Sequence, residues 1–174
     1  MRRRAAGAAL ALGLLTLAGA VVVARGEEPG GIDDLWVRLF GPPDLGPVDF
    51  ATLRRSPHDA LACPPDICPN TPADLVAPVY PVAGAALREI VRAVAQQEPR
   101  TEPVFTDRWG EQDRYVARSR LMRCPDTITV EIIGRGEGAS TLALHSRSQI
   151  GYGDFGENRA RLARWLAAIG TRTR

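Results

Sequence analysis

The sequence predicts an α+β domain in which an antiparallel sheet of about four strands is covered by two amphipathic helices, preceded by an N-terminal apolar segment. Two stretches place apolar residues at helical spacing, and the four strand candidates lie between them. Consecutive strands joined by tight turns pair antiparallel. One apolar sheet face covered by two amphipathic helices gives a two-layer domain.

The N-terminal segment, residues 1–24, combines three arginines at positions 2–4 with an uncharged apolar run from Ala5 to Ala24. A positive start followed by an apolar run is typical of an export signal, and this run is also long enough to cross a bilayer as a helix. The segment is therefore predicted to be a signal peptide or a transmembrane anchor. In either case the rest of the chain lies in the cell envelope, facing the periplasm from the inner membrane or secreted into it.

Residues 25–62 are rich in Pro, Gly and polar residues and are predicted to be a tether leading to an α+β domain over residues 63–174. The apolar patch Leu35–Phe40 interrupts the tether. It is compatible with a helical turn that packs on the domain or one that lies on the membrane surface, and packing is favoured.

Charge argues against nucleic acid as a partner. All 22 basic residues are arginines, and removing the three at positions 2–4 from the formal net charge of +2 leaves −1. Sequence-independent binding of nucleic acid needs a clustered excess of positive charge.

Three cysteines are present, and two of them, Cys63 and Cys68, enclose a Pro-rich loop. In an oxidising compartment this spacing favours a Cys63–Cys68 disulfide over a pair that uses Cys124 or three reduced thiols. A metal site of the two cysteines with His58 lacks a further nearby ligand pair, so no metal is predicted.

The domain body begins with an extended stretch, Leu75–Pro81, whose prolines allow at most an edge strand. A helix is predicted from Ala83 to Gln97 and ends before Pro99. Four strand candidates follow, and glycines at residues 134–138 predict a hairpin turn between the last two. The candidates are Val104–Thr106, Tyr115–Met122, Thr127–Ile133 and Ser140–Ser148.

The last helix is predicted from Phe155 to Ile169, with its apolar stripe at Leu162, Trp165, Leu166 and Ile169 and its arginines largely off that stripe. Asp154 and Glu157 have the spacing of a capping box. The stretch Ser146–Arg161 thus joins the last strand to the last helix through two glycine turns.

The stretch Ser146–Arg161, together with shorter matches earlier in the chain, resembles a known protein family. From about Asp49 to Ile169 the sequence resembles the domain of unknown function 1499 family of bacterial envelope and plastid proteins. No catalytic residues are assigned in that family, so the resemblance implies neither mechanism nor cofactor. The matching residues are Cys68–Asn70, Pro125–Thr127, Ser146–Ser148, Gly151–Tyr152, Asp154–Gly156, Asn158–Arg159 and Arg161.

A non-enzymatic binding or structural module is the favoured function class, and a binding module would take a small anion, a lipid headgroup or an envelope protein as its ligand. His145 and Arg147 fall on the outer face of the last strand, and Arg118 and Arg120 are expected across the sheet on the same face. Guanidinium groups gathered on one face hold phosphate or carboxylate. A solvated face, with Glu131 and other acids pairing these arginines, explains the same residues without a ligand.

An enzyme is the alternative. A small envelope hydrolase would use Asp154, His145 and either Cys124 or Tyr152, without a cofactor. Structural roles, with Asp154 as a helix cap and Tyr152 as a packed turn residue, account for these residues without catalysis. A non-enzymatic role is therefore preferred.

Overall fold

The computed structural model describes residues 2–107, 112–151 and 153–174, with side chains described from residue 12 onward. Its helices are α1 Arg2–Arg25, α2 Ile32–Phe40, α3 Gly84–Gln97 and α4 Glu157–Arg172. Its strands are β1 Asp59–Ala62, β2 Thr101–Thr106, β3 Gln112–Arg118, β4 Pro125–Gly134 and β5 Ser140–Ser148.

The strands form one antiparallel sheet in the order β1-β5-β4-β3-β2, which confirms the predicted α+β class. The described chain contains five strands, one more than expected, because strand β1 lies inside the range predicted as a tether. Its four residues are too few to show an alternating pattern, and their pairing with β5 supplies the structure. The stretch Leu75–Pro81 makes only isolated bridges, as expected for a segment whose prolines lack an N–H.

Helices α3 and α4 cover one face of the sheet, as their apolar spacing predicts. Leu87 and Val91 from α3 and Leu162 and Trp165 from α4 are buried against it. The indole of Trp165 meets the Tyr115 ring edge-on, with 5.8 Å between the ring centroids. Both helices and the main hydrophobic core are therefore predictable from the sequence.

The opposite face, called the outer face, is covered as well. Residues 42–54, here called the covering segment, run across it, and Phe50 is buried with Leu61 and Ala143. Cys63 and Cys68 join this second apolar cluster and form the predicted disulfide, which removes both thiols from any metal site. The solvated outer face that the sequence also allowed is wrong here, since strand β5 is buried on both sides.

Side chains of β3 and β4 hold the covering segment in place. The Gln112 amide donates to the Val48 carbonyl at 2.6 Å and accepts from the Val48 N–H at 3.1 Å. The Arg114 guanidinium binds both carboxylate oxygens of Asp44, at 2.7 and 3.0 Å. These contacts satisfy backbone and charged groups that would otherwise be buried without partners.

The N-terminal apolar segment forms helix α1, and α2 follows after a short turn. In the part of the chain that the structure describes, we find no helix with both the length and the apolar character needed to cross a bilayer.

The disulfide is expected to stabilise the covered outer face. Replacing Cys63 and Cys68 together by Ser should lower the free energy of unfolding by about 2 kcal/mol, because the short loop loses its closure constraint in the unfolded chain. Urea titration followed by circular dichroism measures the change. Cys124→Ser is the matched control, with an expected loss below about 1 kcal/mol, and an equal loss in both variants would contradict the assignment.

Candidate anion-binding site

A cavity of about 300 Å³ lies on the outer face, between the covering segment and strands β4 and β5. The pairing of the two strands places Arg147 opposite Thr127 and His145 opposite Thr129. The covering segment contributes Arg54 from the other side. This cavity is called the outer-face pocket.

Two arginines of the outer-face pocket have unused hydrogen-bonding capacity. Arg147 is half-buried and Arg54 is exposed, and neither forms an ion pair or a side-chain hydrogen bond with any described residue. A half-buried guanidinium normally has an acceptor, because its partial burial costs hydration. Together the two groups supply donors for an anion.

Beneath the pocket, a buried carboxylate lies beside the histidine. The Asp59 Oδ2 atom lies 3.3 Å from Nε2 of His145, which is itself buried without an aligned hydrogen-bond acceptor. Asp59 also accepts from the Ser56 amide at 2.6 Å and pairs with the Arg55 guanidinium. Burial by itself raises the pKa of Asp59, but His145, Ser56 and Arg55 together hold this pKa well below its ordinary value. Asp59 therefore stays ionised and is committed to these partners rather than to Arg147.

The remaining lining is mostly neutral. The Thr129 hydroxyl makes no hydrogen bond within the described chain, whereas Thr127 donates to the Pro43 carbonyl. Asp49 is the acid of the lining, and its carboxylate accepts from the Thr52 hydroxyl and the Ala51 amide, which lower its pKa. Arginine forks beside a free hydroxyl are suited to a phosphate or carboxylate.

The structure separates the four residues predicted for the anion face. His145 and Arg147 line the outer-face pocket. Arg118 and Arg120 line a different cavity beyond the end of β3, and Arg118 is paired with Asp33 at 2.9 Å and Glu102 at 2.6 Å. The spacing along one strand was readable in the sequence, but the contribution of Arg54 was not, because only the fold brings the covering segment to β5.

The second cavity, of about 600 Å³, lies at the end of the sheet beside the start of α4. Asp154 lies in its wall, and its carboxylate accepts from the amides of Gly156 at 3.0 Å and Asn158 at 2.9 Å. The Glu157 carboxylate binds Arg164 instead of reaching back. The predicted capping box is therefore wrong: the N-cap residue of α4 is Gly156, and Asp154 binds the Asn158 amide from two residues further back.

A buried polar network joins β5 to α4 in the same region. Arg161, expected off the apolar stripe, is 3% exposed and donates to Asp126 at 2.8 Å and to Asn158 at 2.7 Å. The Ser146 hydroxyl donates to Asn158 and accepts from Arg161. Helical spacing alone gives no signal for this burial, because an arginine beside the stripe is normally solvated.

The residues of the enzyme alternative are not assembled. His145 lies in the outer-face pocket, while Asp154 and Cys124 line the second cavity. Burial raises the pKa of Cys124, which lowers the fraction of nucleophilic thiolate. Tyr152 lies outside the described residues.

Comparison of the sequence with known protein families identifies the family of this chain. The sequence model of a family described as a protein of unknown function (DUF1499) matches residues 53–169. The chain belongs to this family. The match includes all five strands, helix α3 and most of α4, so the pocket residues Arg54, His145 and Arg147 lie within the family domain. No curated protein matches this chain.

The buried carboxylate gives a pH-dependent prediction. Asp59→Asn should lower the free energy of unfolding by about 3 kcal/mol near neutral pH, since it removes one partner of a buried charge cluster. Because the pKa of Asp59 is lowered in the folded state, its contribution is present above about pH 4 and is lost as the pH falls further. Urea titrations at neutral and acidic pH should show the gap between wild type and variant closing.

The matched control is Asp66→Asn, which removes an acid paired with Arg135 at the surface. Its expected effect on stability is much smaller than that of Asp59→Asn, because solvent screens a surface ion pair. A gap for Asp59→Asn that stays constant from neutral to acidic pH would contradict the account.

Proposed function

We propose that this family domain is an exported, non-enzymatic module of the cell envelope that binds a small oxyanion, a phosphate or carboxylate, in the outer-face pocket. The observation that carries the proposal is the half-buried Arg147, which has no acidic partner in the described chain and faces a cavity with Arg54 and Thr129. An oxyanion supplies the acceptors that this guanidinium lacks.

The sequence and the disulfide support the location. The arginines at positions 2–4 and the apolar run that follows are typical of a segment that directs export or holds a chain at the membrane. The Cys63–Cys68 disulfide is of a kind that persists in oxidising compartments such as the periplasm.

The pocket supports binding rather than turnover. His145 lies beside Asp59 in the outer-face pocket, and the acid and thiol suggested for catalysis line the other cavity. A reaction needs a nucleophile and a base within hydrogen-bond reach of each other. An anion bound by Arg147 and Arg54 needs only their donors.

Single arginine substitutions test the pocket. Arg147→Ala should weaken binding of inorganic phosphate or acetate by about 10-fold or more, because a hydrogen bond to a charged group contributes about 1.5–3 kcal/mol. Arg54→Ala should weaken it less, since Arg54 is exposed. Isothermal titration calorimetry of the full chain at low ionic strength measures both effects.

Arg159→Ala is the matched control, because Arg159 is exposed on α4 and has no ion-pair partner in the described chain. It should bind either anion as the wild type does. Equal weakening in all three variants would indicate a general charge effect, and no measurable binding by the wild type would refute the anion site.

A further inference from the structure

His145 presents one of its two ring nitrogens to the outer-face pocket. Its Nε2 atom is fully buried and lies 3.3 Å from the Asp59 carboxylate. Its Nδ1 atom is not fully buried and makes no hydrogen bond with any described residue, and the side chain lines the pocket. Nδ1 is therefore the nitrogen that a bound anion can reach.

The neighbouring carboxylate decides which nitrogen carries the proton. A neutral imidazole has one N–H group and one nitrogen lone pair. Asp59 stays ionised and can only accept hydrogen bonds, so it favours the proton on Nε2. The neutral ring therefore presents the lone pair of Nδ1 to the pocket.

One acceptor thus lies among donors. Arg147 and Arg54 supply guanidinium N–H groups, and the free Thr129 hydroxyl, opposite His145 in the sheet, can donate or accept. An oxyanion without a hydrogen would place an oxygen lone pair against the lone pair of Nδ1 and leave this acceptor unsatisfied. An oxyanion that keeps a hydroxyl group can donate to Nδ1 while its other oxygens accept from the arginines.

The charged groups around His145 come from three parts of the fold, and β4 adds only uncharged threonines to the lining. The groups are Asp59 on β1, Arg147 on β5, and Asp49, Arg54 and Arg55 from the segment that leads to β1. Asp49 is the other acceptor of the lining, but it is exposed and its carboxylate already accepts from the Thr52 hydroxyl and the Ala51 amide.

We propose that the outer-face pocket selects inorganic hydrogen phosphate, and that neutral His145 makes the selection by accepting the phosphate hydroxyl at Nδ1. Above neutral pH, sulfate, carboxylates and phosphate diesters have no such hydrogen, and phosphate monoesters have lost theirs, since their second pKa is about 6. Free phosphate is thereby distinguished from a lipid headgroup or any other phosphate ester. The inference rests on the anion binding proposed for this pocket.

Hydrogen phosphate and sulfate provide the test, because at about pH 8.5 both carry two negative charges and only phosphate keeps a hydrogen. Isothermal titration calorimetry of the full chain should show phosphate bound about 10-fold or more tightly than sulfate, since sulfate leaves Nδ1 without a donor. Glycerol phosphate, a dianion without that hydrogen at this pH, should bind as weakly as sulfate.

His145→Gln should remove the preference for phosphate over sulfate, because an amide side chain offers a donor as well as an acceptor. The matched control is His58→Gln. The chain has two histidines, and His58 does not line the pocket. The control should keep the preference of the wild type, and circular dichroism checks that both variants are folded.

A second measurement uses the wild type and does not depend on the folding of a variant. When the pH falls to about 5.5, the imidazolium form carries a donor at Nδ1, so sulfate should bind about 10-fold more tightly than at alkaline pH. Sulfate itself does not titrate in this range. Titrations in buffers of different ionisation enthalpy should show that the protein takes up a proton when sulfate binds.

Several outcomes would overturn the inference. Equal affinity of the wild type for phosphate and sulfate at alkaline pH, or glycerol phosphate bound as tightly as phosphate, would do so and leave the anion site in place. Sulfate affinity that does not change with pH would also contradict it. A preference that survives His145→Gln but is lost in Asp49→Asn would make Asp49 the acceptor. No binding of any of the three anions would refute the anion site itself.

Discussion

The structure depends on the burial of strand β5 on both of its faces. On one side the strand contacts the core under helices α3 and α4, and on the other it lies beneath the covering segment and the disulfide. A strand covered on both sides cannot leave polar groups unpaired without a cost in free energy. The arrangement of the charged side chains around β5 follows from this constraint.

Two buried charge clusters meet that constraint at the same end of the sheet. On the outer face, Asp59 is held by Arg55 and lies beside His145. On the helix face, Arg161 binds Asp126 and the Ser146–Asn158 pair. Clusters of this kind fix the position of one element on another more strictly than apolar contacts do, because each loses partners if the elements shift. They place β1 and the start of α4 relative to β5.

The proposed anion site depends on the same frame. The outer-face pocket exists because the covering segment bridges β4 and β5 and leaves Arg147 half-buried without an acid. Elsewhere on the frame, Arg123 fastens α2 to the β3–β4 turn through Asp33. The pocket is lined by strands β4 and β5 as well as by the covering segment, so its residues belong partly to the sheet itself.

The sequence by itself determined the elements whose signal is local and periodic. Helices α3 and α4, the antiparallel pairing of β4 and β5, the glycine turn between them and the Cys63–Cys68 disulfide follow from spacing over a few residues. Only the tertiary structure decided strand β1, the covered outer face, the burial of Arg161 and the meeting of Arg54 with Arg147. Each of these depends on contacts between residues far apart in the chain. A four-residue strand or a single arginine carries no periodic pattern from which such contacts could be read.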